Sequence, residues 1–109
     1  MKGMGNMGNM GGLMKQAQKM QQEMARIQDD LAERIVEGSA GGGMVKAMVN
    51  GKQELVAIKI DPETVDPEDV EMLEDLVTAA VSAGMKKAKE LAEKEMSKVT
   101  GGLNLPGLF

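Results

Sequence analysis

The sequence predicts an α+β fold: a helix, a three-stranded antiparallel meander and a second, long helix, assembled as a homodimer. Three observations carry this. Apolar residues recur at helical spacing up to Leu31, aliphatic runs flank Asn50-Gly51, and an Asp-Pro helix start precedes a long segment with one apolar face.

Residues 1–12 alternate Met, Gly and Asn, a low-complexity composition too glycine-rich to hold a helix, and are expected to form a flexible tail. From there Leu13, Ala17, Met20, Met24, Ile27 and Leu31 recur at spacings of four and three, a coiled-coil-like seam along one helix. Ile35 and Val36 suggest a short strand, and the four glycines of Gly38-Ser39-Ala40-Gly41-Gly42-Gly43 suggest a flexible turn after it. Residues 44–49 and 53–60 read as strands around Asn50-Gly51, the strongest short hairpin signal, with Val56, Ile58 and Ile60 alternating with Leu55, Ala57 and Lys59. Asp66-Pro67-Glu68-Asp69 opens the last helix, with Asp66 as cap, proline in the first helical position and acids where the helix dipole favours them.

That helix is expected to run to about Val99 and stop at Gly101-Gly102, with Val70, Leu73, Val77, Ala80, Gly84, Ala88 and Leu91 on one face. Around residues 76–85 the apolar surface widens beyond what one small sheet can cover. Leu76, Val77, Ala80, Val81, Gly84 and Met85 are therefore expected at a dimer interface, Gly84 admitting a second backbone. Glu95 then falls on the apolar face, where an unpaired buried carboxylate would be costly, so the last two turns are expected to project into solvent. Residues 13–100 are expected to form one dimerising domain between the 1–12 and 101–109 tails.

At 109 residues with a single aromatic, Phe109, the chain has a thin aliphatic core that a second copy would reinforce. The absence of cysteine and histidine removes disulfides, the common zinc ligand sets and the usual imidazole base, so neither an enzyme nor a cofactor is expected. No apolar run of about 18 residues could span a bilayer and the start lacks a signal-peptide pattern, which predicts a cytoplasmic protein. The net charge of -4 is unevenly placed: residues 61–75 hold eight acids and no base, leaving thirteen bases against nine acids elsewhere. Local charge is what a phosphate backbone feels within a Debye length of about 8 Å, so DNA binding is compatible with this balance.

On a helical wheel Lys15, Lys19 and Arg26 fall within about 40° of one another opposite the apolar seam, with Gln22 on the same stripe. Lys87, Lys94 and Lys98 form a second stripe, with Lys86 and Lys89 nearby. Doubled by dimer symmetry, the stripes could clasp a duplex through its phosphates; the plainer alternative is a solvated helix face. With no aromatic before Phe109 to stack on bases, and with only Arg26 and Arg34 able to grip guanine, binding is expected to follow backbone and shape. Gly41-Gly42-Gly43 lacks the Gly-Lys-Ser/Thr sequel of a phosphate loop, and Glu71 and Asp75 lack a convergent base.

The chain resembles the YbaB/EbfC family of bacterial nucleoid-associated proteins along nearly its whole length. The match rests on Met14-Lys15-Gln16, Val36-Glu37-Gly38-Ser39-Ala40-Gly41-Gly42-Gly43, Val49-Asn50-Gly51, Ile58-Lys59-Ile60-Asp61-Pro62 and Glu71-Met72-Leu73-Glu74-Asp75-Leu76-Val77 with Ala79-Ala80. The end of the chain, with Gly101-Gly102-Leu103 and Leu105-Pro106-Gly107, is also similar. The resemblance implies an α-β-β-β-α protomer in a tweezer-shaped homodimer that binds duplex DNA with little sequence preference and acts in nucleoid organisation or gene expression. Its protruding helices would make the DNA contacts, although Glu90, Glu93 and Glu95 dilute the second stripe. A non-catalytic adaptor, offering the Met/Ala-rich helix surface or the Leu105 to Phe109 tail to a protein partner, is the alternative.

Overall fold

The computed structural model describes the backbone of residues 2–101 and the side chains of residues 11–99. In chain order it contains α1 (Lys2–Glu33), β1 (Ile35–Ala40), β2 (Val45–Asn50), β3 (Leu55–Ile60), a 3-10 turn (Pro62–Thr64) and α2 (Val70–Gly101). This is the α+β order expected from the sequence. The strands form one antiparallel sheet in the order β1-β2-β3.

The register puts Gly38 opposite Ala47 and Ala47 opposite Ile58, and likewise aligns Ala40, Val45 and Ile60. Side chains at paired positions share a face, so these residues and Val36 and Val49 make one apolar surface. α2 lies on it. Val45, Ala47 and Ala80 are completely buried there, with Leu73, Leu76, Val77 and Val81 packed around them.

The approach is closest at Gly38, where an added Cβ would collide with the backbone nitrogen of Gly84 and the carbonyl oxygen of Ala80. At Gly84 it would sit 2.7 Å from Val49 Cγ2. Two sequence expectations change here. β1 continues through Gly38, Ser39 and Ala40, because Gly38 serves a backbone-to-backbone contact; the turn is carried by Gly41, Gly42 and Gly43, with φ of 63, 67 and 94°. Ala80 and Gly84, expected against a second subunit, are buried against the chain's own sheet.

α2 packs on β1 and β2 and leaves β3 bare: all six β3 residues are exposed, Leu55 at 43% and Ile58 and Ile60 at 38% each. Two side-chain contacts mark the flanks of α2. Lys87 Nζ donates to the Glu37 carbonyl of β1 at 2.8 Å, and the Met85 carbonyl accepts from Gln53 Nε2, beside the start of β3, at 3.5 Å.

Asn50-Gly51 forms the hairpin differently from the two-residue turn expected. The connection spans residues 51–54, and its left-handed residue is Gln53, at φ 63°, so β3 begins at Leu55 rather than Gln53. Asn50 Oδ1 accepts from the Lys52 and Glu54 amides, each at 3.0 Å. Gly51 instead serves α1. Its amide donates to the Leu31 and Arg34 carbonyls at 2.8 and 2.9 Å, closing the C-terminal end of that helix, and a Cβ would lie 2.7 Å from Leu31 Cδ2.

α1 extends further back than the Leu13 start expected, since adding residues to an existing helix needs no new nucleus. α2 starts later than expected. Asp66 Oδ1 accepts from the Glu68 amide in a local turn, whereas Asp69 Oδ1 accepts from the Met72 amide at 3.2 Å and caps the helix. The tail from residue 102 onward lies outside the described residues.

Gly38→Ala is expected to lower stability by about 1–3 kcal/mol or more, because both facing groups are backbone. Gly12→Ala, with open space around its Cβ in α1, is expected to raise helicity and stability by up to about 1 kcal/mol. Urea denaturation followed by circular dichroism checks both.

Candidate nucleic-acid interface

The apolar seam of α1 fixes which way its cations face. Ile27 and Leu31 are buried, while Met20 and Met24 are half-buried. At about 100° per residue, Lys15, Lys19, Gln22 and Arg26 lie on the opposite side of the helix. All four are exposed.

On α2 the buried Ala80, Gly84 and Ala88 define the sheet-facing side. Lys86 and Lys89 fall roughly opposite, and Lys87, Lys94 and Lys98 along one flank, from which Lys87 reaches β1. The five lysines are exposed.

These cations differ in availability. Arg26 pairs with Glu23 at 2.9 Å, Lys98 with Glu95 at 3.1 Å, and Lys87 holds the Glu37 carbonyl. Lys15, Lys19, Lys86, Lys89 and Lys94 make no ion pair among the described residues, so their ammonium groups are the ones open to an anion. The structure brings Arg26 and Lys98 into one cleft, between α1 and α2, with Glu23, Asp30 and Glu95 on its walls. That cleft is of mixed sign, and the available lysines lie outside it.

The cleft contains an interaction that the helical pattern did not reveal. Glu95, only 15% exposed, accepts from Arg34 Nη1 at 3.0 Å and from Lys98 Nζ at 3.1 Å. These bonds, that from Lys98 foremost and Arg34 next, hold its carboxyl below the usual glutamate range. The expectation that the last turns of α2 project into solvent is corrected accordingly. Glu95 sits on the inward face because Arg34, just beyond α1, supplies its partner. A basic residue 61 positions away is not a neighbour that helical periodicity can identify.

Of the expected interface residues, Leu76, Val77, Val81 and Met85 remain partly exposed, Val77 and Val81 beside the buried Val45–Ala47–Ala80 cluster and Leu76 also at the β1–β2 turn. Gly41 touches Leu76 at that turn, with a Cβ position 3.1 Å from Leu76 Cδ2. The acids of residues 61–75 sit at the sheet end of α2, where Asp69 caps the helix. Among the described residues no acidic group is arranged to hold a metal, and no helix is long and apolar enough to cross a membrane.

Comparison with known proteins places this architecture. The model of the YbaB/EbfC DNA-binding family matches residues 7–103. A nucleoid-associated protein of Alkaliphilus metalliredigens is 57% identical over 107 residues, covering 98% of this chain and 94% of its own. One from Moorella thermoacetica is 59% identical over 101 residues, covering 93% and 97%. The crystal structure of the uncharacterized protein HP0035 from Helicobacter pylori superposes with a TM-score of 0.71 at 28% identity, covering 84% of this chain and 94% of that one.

The Glu95 cluster sets a pH dependence. A carboxyl whose folded pKa is depressed stabilises the fold above its unfolded pKa of about 4.3, and that contribution disappears as pH falls through the folded value. Wild type is therefore expected to lose more stability than Glu95→Gln as pH drops below about 4.5, in thermal melts across an acid series.

Proposed function

The chain belongs to the YbaB/EbfC DNA-binding family, and from that premise we propose a non-catalytic, cytoplasmic, nucleoid-associated protein that binds duplex DNA as a homodimer, through phosphates and with limited sequence preference. The observation that carries this reading is the set of unpaired, exposed lysines on two long helices: Lys15 and Lys19 on α1, Lys86, Lys89 and Lys94 on α2. Lysine is a point charge on a flexible stem, suited to phosphate oxygens and indifferent to base identity. The chain's two arginines, the residues suited to gripping guanine, are already paired with acids. Gln22 adds a neutral donor on the α1 stripe. Arg26, Lys87 and Lys98 join only by exchanging a present partner for a phosphate.

The dimer is proposed on the open side of the sheet. Lys87 occupies the Glu37 carbonyl of β1, a charged side chain of the kind that discourages further pairing at an edge strand. β3 has no such cover, and Leu55, Ile58 and Ile60 stand on the part of the helix-bearing face that α2 leaves bare, with the Met85 carbonyl of α2 bonded to Gln53 just before β3. A second copy seated there would cover β3 and place both helix pairs on one assembly, with residues 13–100 as the dimerising unit. DNA binding of this kind is proposed to serve nucleoid organisation and gene expression, and it calls for no cofactor.

Fluorescence-anisotropy titration of a mixed-sequence duplex tests the DNA surface. Lys15→Glu/Lys19→Glu and Lys86→Glu/Lys89→Glu/Lys94→Glu are each expected to weaken binding by about tenfold or more, as loss of several phosphate contacts requires. Unchanged affinity in both would refute the surface. Ile58→Asp/Ile60→Asp is expected to sediment as a folded monomer; a stable dimer in that variant would place the interface elsewhere.

A further inference from the structure

Among the described residues, the seam of α1 is longer than the partner that α2 supplies for it. Its inner half, Ile27 and Leu31, is buried, whereas Leu13 is 63% and Met14 64% exposed, and Ala17 is exposed between them and the half-buried Met20. The four-three spacing nevertheless continues without interruption from Leu31 back to Leu13. Such spacing keeps one stripe facing a partner helix, and α2 supplies none at this end.

The flanks of the outer half indicate which helix fits. With Leu13 and Ala17 as core positions, the flanking positions are Met14, Gln16 and Gln21, and the first charge to appear there is Glu23. Charged flanks select a partner of opposite sign and repel an identical copy. Glutamine both donates and accepts, so it is complementary to itself. Lys15 and Lys19 lie on the far side of the helix.

We propose that this outer seam pairs with the same seam of another copy, joining neighbouring dimers on DNA. The inference rests on the DNA-binding reading above and goes beyond it, since the surface is separate from both the phosphate-facing stripe and β3. A single exposed heptad is too short to hold copies together at ordinary concentration. Copies held side by side on one duplex are at high effective concentration, so pairing becomes appreciable there. The observable consequence is cooperative binding on long DNA by a protein that remains dimeric in free solution.

Leu13→Gln/Ala17→Gln tests this without altering charge or the buried half of the seam. Affinity is measured on a short duplex that holds one dimer and on a duplex several sites long. Wild type is expected to bind the long duplex cooperatively. The variant is expected to match its short-duplex affinity within about twofold while its apparent Hill coefficient falls to about one. Non-cooperative binding by wild type, which would assign the seam to a different partner, or full cooperativity in the variant, overturns the proposal.

Failure of wild type to bind the short duplex would instead remove the DNA-binding reading. A second arm decides the seam in that case. Because the chain has no cysteine, Ala17→Cys gives a single thiol, which is expected to form a disulfide between copies on oxidation at high protein concentration, faster than Gln22→Cys on the other side of the helix. Equal rates overturn the pairing whether or not DNA binds.

Discussion

The fold depends on the approach of two glycines. Gly38 in β1 and Gly84 in α2 let the helix backbone settle onto the strand with no side chain between them, and a methyl group at Gly38 would meet main-chain atoms that cannot swing away. This contact fixes where α2 crosses the sheet. With the helix drawn onto β1 and β2, small residues such as Ala47 and Ala80 fill the layer, which explains how a chain with one aromatic residue closes a core. It also determines what remains uncovered. β3 keeps Leu55, Ile58 and Ile60 exposed because the helix that could cover them is held over the other two strands.

The pairing of the two helices is held by a different device. Gly51, in the hairpin loop, donates its amide to the Leu31 carbonyl of α1 and the Arg34 carbonyl just beyond it, so the sheet terminates that helix. Glu95 then ties the far part of α2 back to Arg34 and is shared with Lys98. The two long helices consequently leave the sheet as a tethered pair. Where they meet, their facing surfaces are occupied by apolar contacts and ion pairs, and among the described residues their outer surfaces present lysines without ion pairs.

Much of this was legible in the sequence wherever one periodic signal decided the outcome. The α1 seam, the three strands, the long second helix and the lysine stripes all follow from spacing. Glycine was harder to interpret, because its sequence signal does not distinguish a left-handed backbone from a close approach. Gly38 resembled a turn residue and is a strand residue beneath a helix; Gly51 resembled a positive-φ turn residue and is a docking point, with Gln53 in the left-handed region. Gly84 correctly suggested close packing, but the surface that meets it is its own β1 and β2. Glu95 was misjudged because its partners include an arginine distant in sequence. The lysine stripes could be drawn on a wheel, whereas the division between free and engaged cations required the positions of Glu23, Glu37 and Glu95.

The most direct test of backbone-directed DNA binding is the salt dependence of affinity, measured for the wild-type protein on two unrelated duplexes of equal length. Five or more lysine–phosphate contacts per dimer give a slope of log K against log salt of about -4.5 or steeper, and the same slope and similar affinity on both duplexes. A nearly flat slope, or affinities that differ by about a thousandfold between the two, would contradict the account, since either result requires contacts to base edges that this surface does not offer.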